Sequence, residues 1–311
     1  MSKSINVCFA DASSYADEVN IVTDSYSDKI HQAADSIKIS DCLLIGVGSG
    51  MSASSGLNYA DPTLAQKWYP EYFEQGKKSI IEIMSGFWPT TINKNNAAHF
   101  WGFWAKHIYH IRYEYDALPP YQNLFNIAKD KKHFISTTNV DCQLYKAGFD
   151  ESSIFAPQGN YGFFQCVKPC SQEVYYNENM IHTMLKNMVS PFEIQATDIP
   201  CCPKCEKYLM PNLRCDHRFV EKPHIKNHTL YVNYINKAHD KNLVLLELGV
   251  GYNTPVIIRY PFEAITSKYP LATLIRVNLS DADVPENIVK KSVCIQEDIG
   301  KVLSDLYSLL K

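Results

Sequence analysis

Four cysteines stand in two closely spaced pairs near the middle of the chain. Cys166 and Cys170 are separated by three residues, and Cys202 and Cys205 are separated by two. Two such pairs can close a tetrahedral thiolate site around zinc, which prefers four soft ligands where its role is structural. Because four thiolates leave no position for a catalytic water, we predict a zinc ion that holds a small lobe together.

The other cysteines leave this ligand set open at one position. The chain has ten cysteines in all, and in a cytosolic protein closely spaced cysteines bind metal more often than they form disulfides. Two of them compete for the fourth ligand position, Cys201 and Cys215. The remaining ones are expected to be small buried hydrophobic residues: Cys8, Cys42, Cys142 and Cys294.

A glycine-rich turn follows an apolar run in the stretch from Leu43 to Tyr59. The pattern is typical of a buried parallel strand that turns into a phosphate-binding loop. Gly48 and Gly50 would let the backbone approach a pyrophosphate, and Ser52 and Ser55 stand where the next helix begins and its N–H groups face negative charge. The spacing is not G-x-G-x-x-G, and no acid follows about 20 residues on to hold a ribose. A plain dinucleotide-binding dehydrogenase is therefore a poor match, and an ordinary tight turn remains the alternative.

A second polar segment follows the strand expected from His133 to Thr137. Asn139 and Asp141 come directly after this strand. In a parallel α/β sheet the ligand lies at the carboxyl ends of the strands, so both side chains would point into the ligand crevice. The alternative is a turn in which Asp141 caps the next helix.

Apolar runs alternate with helical patterns along most of the chain. The expected strands are Cys42–Ile45, His133–Thr137, Leu243–Leu248, Ala272–Val277 and Val293–Ile295. The expected helices span residues 19–40, 97–113, 121–129, 227–239 and 299–310. Alternation of this kind predicts a parallel sheet that is covered by helices on both faces.

Aromatic residues crowd the segment from Tyr59 to Tyr121. They include Trp68, Phe73, Phe87, Trp88, Phe100, Trp101, Phe103 and Trp104. At helical spacing such a stripe is more often core packing than a cofactor-binding box.

The composition argues against several classes of partner. A net charge of −3 gives no electrostatic attraction to nucleic acid or to an anionic membrane. The longest apolar runs, such as Leu43–Val47, fall far short of the ~20 residues that a membrane helix needs. The segment Met1–Asp17 lacks the basic and apolar regions of a signal peptide. We therefore expect a cytoplasmic protein with no nucleic-acid or membrane partner.

Together these motifs resemble those of the sirtuins. Gly48–Leu57 is similar to the family loop G-A-G-I-S-x-x-S-G-I, and Thr137–Asp141 with Ala147-Gly148 is similar to T-Q-N-I-D…A-G. The cysteine pairs match the family's zinc lobe. Gly249-Val250-Gly251 stands where the family has G-T-S, and Asn278 stands where it has an asparagine that contacts ribose.

The resemblance covers most of the chain from Ile39 to Leu310 and implies the family's architecture. The fold would be α/β, with a Rossmann-like parallel sheet domain in residues 1–157 and 226–311, which includes an aromatic helical insert at about 60–120. A small zinc-binding domain would span residues 158–225, with NAD in the cleft between the two domains. The residues implied to bind NAD are Gly48, Ser49, Gly50, Ser52, Ser55, Asn139, Asp141, Gln158, Gly249, Val250, Gly251, Asn278 and Ile295.

One departure from the family changes the expected chemistry. Where sirtuins have a catalytic His-Gly, this chain has Gln158-Gly159. In deacylation that histidine activates a ribose hydroxyl after nicotinamide has left, and a Gln amide cannot take the proton at neutral pH. Deacylation should therefore stall, whereas ADP-ribosyl transfer needs only bound NAD, a stabilised ribose carbon and a protein nucleophile. The catalytic residues would be Asn139 and Asp141, which position the ribose, and Gln158, which hydrogen-bonds its hydroxyls without acting as a base.

Two further segments depart from the family pattern. Asn58–Asp61 replaces P-D-F-R, and Arg214–Glu221 stands in place of a substrate strand like V-x-F-G-E. The group that closes over nicotinamide would then come from Trp88, Phe100 or Trp104.

Gln in place of His, the aromatic-rich insertion and this cysteine spacing are similar to the macrodomain-linked (class M) sirtuins of microbial pathogens. That resemblance implies protein mono-ADP-ribosylation of a lipoylated carrier protein like the glycine-cleavage H protein. It also implies a macrodomain ADP-ribosyl hydrolase as functional partner and a role in the oxidative stress response. Two alternatives remain open: a residual lysine deacylase whose base is a remote histidine (His99, His107 or His110), or an NAD sensor without turnover.

Overall fold

A computed structural model describes residues 24–311 of the chain. Cys8 and the first part of the helix expected over 19–40 lie outside the described residues. Within the part of the chain that the structure describes, no helix is both long and apolar enough to cross a bilayer.

The described residues form three sheets and thirteen α-helices. The strands are β1 (Cys42–Val47), β2 (His133–Thr137), β3 (Ile154–Phe155), β4 (Gly159–Cys166), β5 (Tyr175–Tyr176), β6 (Met188–Ser190), β7 (Glu193–Ile194), β8 (Leu209–Leu213), β9 (Leu243–Leu248), β10 (Ala272–Val277) and β11 (Ser292–Ile295). The helices are α1 (Tyr26–Ile39), α2 (Ser49–Ser54), α3 (Pro62–Trp68), α4 (Pro70–Glu74), α5 (Ile80–Met84), α6 (Ala97–Ile108), α7 (Pro119–Ala128), α8 (Gln143–Lys146), α9 (Glu178–Lys186), α10 (Lys222–Ile225), α11 (His228–Lys237), α12 (Arg259–Lys268) and α13 (Ile299–Leu310). A π-helical turn, Tyr109–Tyr113, continues α6.

Six parallel strands make the large sheet, in the order β11-β10-β9-β1-β2-β3. β1 and β9 are mostly apolar and are buried along their whole length, as strands covered on both faces must be. The chain runs outward from β1 through β2 and β3 and later returns to place β9 on the other side of β1. Because the strand order reverses between β1 and β9, a ligand crevice is expected outside the carboxyl ends of these two strands.

Helices cover this sheet on both faces. On one face α1, α7 and α13 pack around a core that includes Ile37, Tyr121 and Leu303. On the other face α11 and α12 pack through Tyr231 and Phe262. The arrangement is the doubly covered parallel sheet that the alternation of strands and helices predicted.

A second core lies beside the sheet domain and contains the aromatic segment. Helices α3 to α6 and α9 pack there against the antiparallel sheet β5-β4-β8 and the β6–β7 hairpin. The ring centroids of Trp101 on α6 and Phe164 on β4 are 4.5 Å apart. Phe100, Trp101, Phe103 and Trp104 are all buried. The aromatic stripe is therefore core packing, and the insert shares its core with the lobe that carries the cysteine pairs.

A buried ion pair ties β9 to β10 near the carboxyl edge of the large sheet. Glu247 and Arg276 are partners in the strand register, and a Glu247 carboxylate oxygen lies 2.7 Å from Arg276 Nε. Arg276 also lies 2.9 Å from Glu263 on α12. Arg259, on the same helix, donates to the carbonyl oxygen of Asp283 at 3.0 Å. These charges hold the loop that follows β10 against the sheet.

Removing one partner of this ion pair should cost far more stability than removing both. Arg276→Met leaves Glu247 buried without its counter-charge, and we expect the free energy of unfolding to fall by about 3–5 kcal/mol. Adding Glu247→Leu should restore much of that loss because both charges are then gone. Urea unfolding of the two variants makes the comparison. A double variant that is no more stable than Arg276→Met would contradict this account.

Candidate functional site

A cleft of about 440 Å³ opens at the carboxyl ends of β1 and β2. Five of the predicted site residues line it: Ser49, Gly50, Ser52, Asn139 and Asp141. The other lining residues are Ala53, Leu57, Asn58, Tyr59, Ala60, Ile81, Ile111, Thr138, Val140, Tyr161 and Asn253. One wall therefore belongs to the sheet domain and the other to the second core.

Two glycine turns touch at the base of this cleft. Gly48 directly precedes α2, and a Cβ there would lie 2.5 Å from the carbonyl oxygen of Gly249 in the turn after β9. A Cβ on Gly50 would lie 2.7 Å from the Cα of Gly249, which itself has a φ of +63°. The N–H of Gly50 donates to the oxygen of Gly249 at 3.0 Å. Only glycine permits this close approach of two backbones, which leaves peptide groups uncovered by side chains.

Asn139 and Asp141 share a hydrogen-bond network with Ser52 and Tyr121. Asn139 Nδ2 donates to the carbonyl oxygen of Gly48 at 2.9 Å, and also to Ser52 Oγ and the Tyr121 hydroxyl at 3.1 and 3.2 Å. Ser52 Oγ donates to an Asp141 carboxylate oxygen at 2.6 Å, and the Tyr121 hydroxyl donates to the same oxygen at 3.1 Å. The network joins the ends of β1 and β2 and fixes both side chains at the cleft.

Asp141 fills both of the roles that the sequence left open. Its second carboxylate oxygen accepts a hydrogen bond from the N–H of Gln143 at 2.9 Å, where α8 begins, while the first oxygen belongs to the cleft network. Burial, and then the charge of Asp141, raise the pKa of Tyr121 well above its usual 10.0, so the Tyr121 hydroxyl remains a donor. Sequence reasoning missed Tyr121 because nothing in its local pattern separates it from an ordinary core residue of α7.

The predicted residues that follow β9, β10 and β11 lie on the other side of the glycine contact. Asn278 Nδ2 donates to the carbonyl oxygen of Val250 at 3.2 Å, and the N–H of Asn278 donates to the oxygen of Ile295 at 3.2 Å. Arg259 also donates to the oxygen of Val250, at 3.3 Å. A Cβ on Gly251 would meet no atom within 4 Å, so this part of the turn is open. These residues form one connected edge beside the glycine turns.

Ser55 and Gln158 are also outside the cleft lining. The Ser55 hydroxyl donates to the carbonyl oxygen of Met51 at 2.8 Å at the end of α2. Gln158 directly precedes β4, and its backbone oxygen accepts a hydrogen bond from the N–H of Arg214 at 2.9 Å. The side-chain Oε1 of Gln158 is buried and has no hydrogen-bond partner among residues 24–311. A buried amide oxygen without a partner is costly, and a ligand hydroxyl or a water would satisfy it.

The four predicted zinc ligands come together in the small lobe. Their Sγ atoms all lie within 4.8 Å of one another. The Sγ atoms of Cys166 and Cys205 are 3.5 Å apart, and those of Cys170 and Cys202 are 3.6 Å apart. Four thiol sulfurs at these distances have the chemistry and spacing that a structural zinc ion requires.

The other described cysteines lie outside this cluster. Cys201 is exposed, and Cys215 is partly buried. Cys42 and Cys142 are buried, as predicted, whereas Cys294 is only partly buried. The structure thus brings together the predicted four and leaves both competitors for the fourth ligand position apart from them.

Replacing a ligand should therefore differ from replacing its neighbour. We expect Cys202→Ser to lose zinc and to unfold the small lobe, because metal binding and local folding are coupled. Cys201→Ser, one residue away and exposed, is the matched control and should keep one zinc per chain. Metal analysis and limited proteolysis of the purified variants test this. Full zinc content in Cys202→Ser would identify Cys201 as the true ligand.

The three candidate histidines pack or pair outside the cleft lining. His107 is fully buried among tyrosine hydroxyls, and burial lowers its pKa from 6.5 to about 3. His99 Nδ1 lies 3.1 Å from the carbonyl oxygen of Phe192. His110 pairs with Glu114 at 2.8 Å. None of the three lines the cleft within residues 24–311, and a histidine with the pKa of His107 does not take a proton at neutral pH.

The aromatic groups expected to close the cleft are also elsewhere. Phe100 and Trp104 are each 1% exposed in the second core, and Trp88 is half exposed but outside the cleft lining. The rings in the cleft wall are those of Tyr59 and Tyr161. The prediction is wrong for Phe100 and Trp104, because helical spacing shows which residues are buried but not which of them face a cavity.

The buried state of His107 should make the fold sensitive to acid. The unfolded chain binds a proton at this residue below pH 6.5, whereas the folded protein does not until pH falls to about 3. The unfolded state then holds more protons, so His107 should lower the free energy of unfolding by about 1.4 kcal/mol per pH unit below pH 6.5. Urea unfolding at stepped pH values, beside His107→Gln as a non-titrating control, measures the difference in slope. Equal slopes in the two proteins would contradict the assignment.

The comparisons with known proteins point in one direction. The chain matches no protein-family model. It is 25% identical over 297 residues to a protein ADP-ribosyltransferase of Staphylococcus aureus, covering 92% of this chain and 89% of the relative. It is 26% identical over 305 residues to a probable bifunctional ADP-ribose hydrolase/ADP-ribosyltransferase of Fusarium oxysporum, covering 93% of this chain and 49% of that protein. The chain thus spans about half the length of the fungal relative.

The solved structures similar to this chain include a Sir2 homologue in complex with NAD. The two folds agree with a TM-score of 0.53 over 90% of this chain and 93% of the homologue, at 14% sequence identity. At that identity the likeness establishes the fold. The predicted architecture, a Rossmann-like parallel sheet with a smaller cysteine-bearing lobe, is therefore confirmed as the Sir2 fold.

Proposed function

We propose that this chain is an NAD-dependent protein mono-ADP-ribosyltransferase of the macrodomain-linked (class M) sirtuin group. The observation that carries the proposal is the fixed pair Asn139 and Asp141 at the cleft, together with Gln158 where a deacylase needs a histidine base. Two relatives that align with more than nine-tenths of the chain are named as ADP-ribosyltransferases.

In this function the cleft and the glycine turns bind NAD as a substrate. The uncovered peptide groups of the turns at Gly48–Gly50 and Gly249–Gly251 receive the diphosphate. Asn278, at the end of β10, binds the ribose of the adenosine half. Asn139 and Asp141 bind the ribose that carries nicotinamide.

The transfer exchanges one bond for another at the nicotinamide ribose. The bond from C1′ to the nicotinamide nitrogen breaks, and nicotinamide leaves with the bonding electron pair. A bond from the acceptor nucleophile to C1′ forms, and the proton of the nucleophile passes to solvent. Positive charge develops on the ribose as nicotinamide leaves, so the Asp141 carboxylate, held by Ser52 and Tyr121, stabilises that state. Gln158 offers its unpartnered Oε1 to a ribose hydroxyl and takes no proton.

The acceptor that we infer is a lipoylated carrier protein like the glycine-cleavage H protein. A groove of about 680 Å³ borders Pro157 and Arg214, and Pro157 adjoins Gln158 in the chain. Most of its other lining residues are apolar: Phe155, Tyr231, Val232, Ile235, Val256, Ile257, Pro261, Ala264 and Ile265. Walls of this kind suit a long, mostly apolar arm.

The proposed setting includes a partner and a metal. A macrodomain ADP-ribosyl hydrolase would remove the modification during an oxidative stress response, and the name of the fungal relative joins hydrolase and transferase in one protein. The four clustered cysteines would hold a zinc ion that cross-links the lobe behind β4 and takes no part in the transfer.

Labelled NAD provides the direct test of the function. The protein is incubated with a lipoyl-carrier protein in its lipoylated and unlipoylated forms, and with an acetyl-lysine peptide. We expect label on the lipoylated protein alone and an unchanged peptide, because Gln158 cannot supply the base of deacylation. Deacylation of the peptide without labelling of either carrier would overturn the proposal.

Asn139→Ala tests the site within the same assay. The side chain contacts three groups of the cleft network, and we expect its removal to lower the transfer rate by about 100-fold or more. The matched control is Asn95→Ala in the exposed loop before α6, which should transfer at the unaltered rate. Circular dichroism shows whether both variants fold. A folded Asn139→Ala protein with normal transfer would remove Asn139 from the site.

A further inference from the structure

A histidine lies fully buried in the aromatic core with every polar neighbour a tyrosine hydroxyl. His107 Nε2 is 3.0 Å from the hydroxyl of Tyr59 and 3.2 Å from that of Tyr161, and Nδ1 is 3.0 Å from that of Tyr69. The surrounding rings include Phe103 and Trp104. Polar groups placed in such a core are costly unless they pair, and here both ring nitrogens have partners.

Two of these three tyrosines belong to the cleft lining. Tyr59 and Tyr161 line the cleft, whereas Tyr69 is completely buried. The backbone N–H of Tyr161 donates to the carbonyl oxygen of Val140 at 3.1 Å. Val140 is the residue between Asn139 and Asp141 in the chain. The backbone of Tyr161 is thereby tied to the segment that carries the proposed catalytic pair.

Apart from the tyrosines, the polar residue in the described part of the wall that carries them is Asn58. Most of the wall is Leu57, Ala60, Ile81 and Ile111. Tyr59 stands within Asn58–Asp61, the segment that replaces the P-D-F-R pattern of the resembling family. Of that segment, Asn58, Tyr59 and Ala60 line the cleft, whereas Asp61 does not.

We propose that His107 is a positioning residue that holds the hydroxyl groups of Tyr59 and Tyr161 in the cleft wall, where they donate hydrogen bonds to the nicotinamide end of the bound substrate. This inference rests on the proposed function, since the substrate is NAD. Neither tyrosine exchanges a proton with the substrate.

The protonation states suit this role. Burial raises the pKa of Tyr59 well above its usual 10.0, and the neighbouring Tyr161 adds to the effect. Burial likewise raises the pKa of Tyr161. Both hydroxyls therefore keep their hydrogens. With the hydrogen of neutral His107 on Nε2, the ring donates toward both oxygens, so neither hydroxyl has to donate its hydrogen to the histidine.

A rigid donor matters more for turnover than for binding. Hydrogen-bond donors that are already in place contribute to the transition state without reorganisation. Loss of the fixed orientation should therefore appear in kcat, while the KM for NAD, set largely by the diphosphate and adenosine contacts, changes little. Replacing a residue that served the fold alone would change the stability of the protein without lowering kcat selectively relative to KM.

The experiment measures nicotinamide release by the full chain with a lipoylated carrier protein as acceptor. Tyr59→Phe and His107→Phe should each lower kcat by about tenfold with an NAD KM within about twofold of the unaltered value. In the double variant, kcat should fall no further than in His107→Phe alone, because His107 acts through the hydroxyl that Tyr59→Phe removes. Tyr72→Phe is the matched control: it removes a buried hydroxyl of the same core that has no partner among the described residues.

The results with these variants test the role of His107, and the unaltered protein tests the proposed function. Three results would overturn the positioning role. They are a normal kcat in a folded His107→Phe protein, a kcat in the double variant that falls by the product of the two single effects, and a fall of kcat in Tyr72→Phe equal to that in the other single variants. His107→Gln, whose amide both donates and accepts, should keep more of kcat than His107→Phe, and it replaces that variant in the cycle if His107→Phe does not fold. Absence of nicotinamide release by the unaltered protein with any acceptor overturns the proposed function itself, and the inference with it.

Discussion

The contact between two bare backbones is the constraint on which the site depends. β1 and β9 are neighbouring parallel strands, so the turns at their carboxyl ends must share the same space. They can do so because Gly48 and Gly249 have no side chains to hold them apart. The other site groups are positioned against this contact: Asn139 reaches the carbonyl oxygen of Gly48 from the end of β2, and Asn278 reaches that of Val250 from the end of β10. A displaced turn would therefore displace both halves of the site.

The opposite wall of the cleft depends on a different kind of packing. The aromatic insert and the cysteine-bearing lobe share one core, so the wall at Tyr59 and Tyr161 is as rigid as that core. The contact of Tyr161 with Val140 joins this core to the sheet domain at the proposed catalytic segment. A zinc ion held by the lobe would then support the cleft wall through packing, without contacting the reacting groups.

The sequence predicted the sheet side of the site far better than the opposite wall. The strands at Leu243–Leu248 and Ala272–Val277 agree to the residue, because short, mostly apolar runs bounded by turn residues can be recognised from the local sequence alone. The cysteine spacing is equally local. By contrast, Tyr59 and Tyr161 meet His107 across 48 and 54 residues of chain. No periodicity encodes such a contact, and a stripe of aromatic residues conceals which ring faces the cavity.

The same geometry explains why transfer suits this cleft better than deacylation. A deacylase must draw a proton from a ribose hydroxyl after nicotinamide has left. Among the described residues that line the cleft, the tyrosines are held in their protonated form, and both carboxylate oxygens of Asp141 already accept hydrogen bonds from three donors. His107 lies close by but behind those tyrosines, with a pKa of about 3. Hydrogen-bond donors that orient a ribose are thus abundant, while a base to deprotonate it is missing. In the proposed function, this cleft would expel nicotinamide and present C1′, and the incoming nucleophile would complete the reaction.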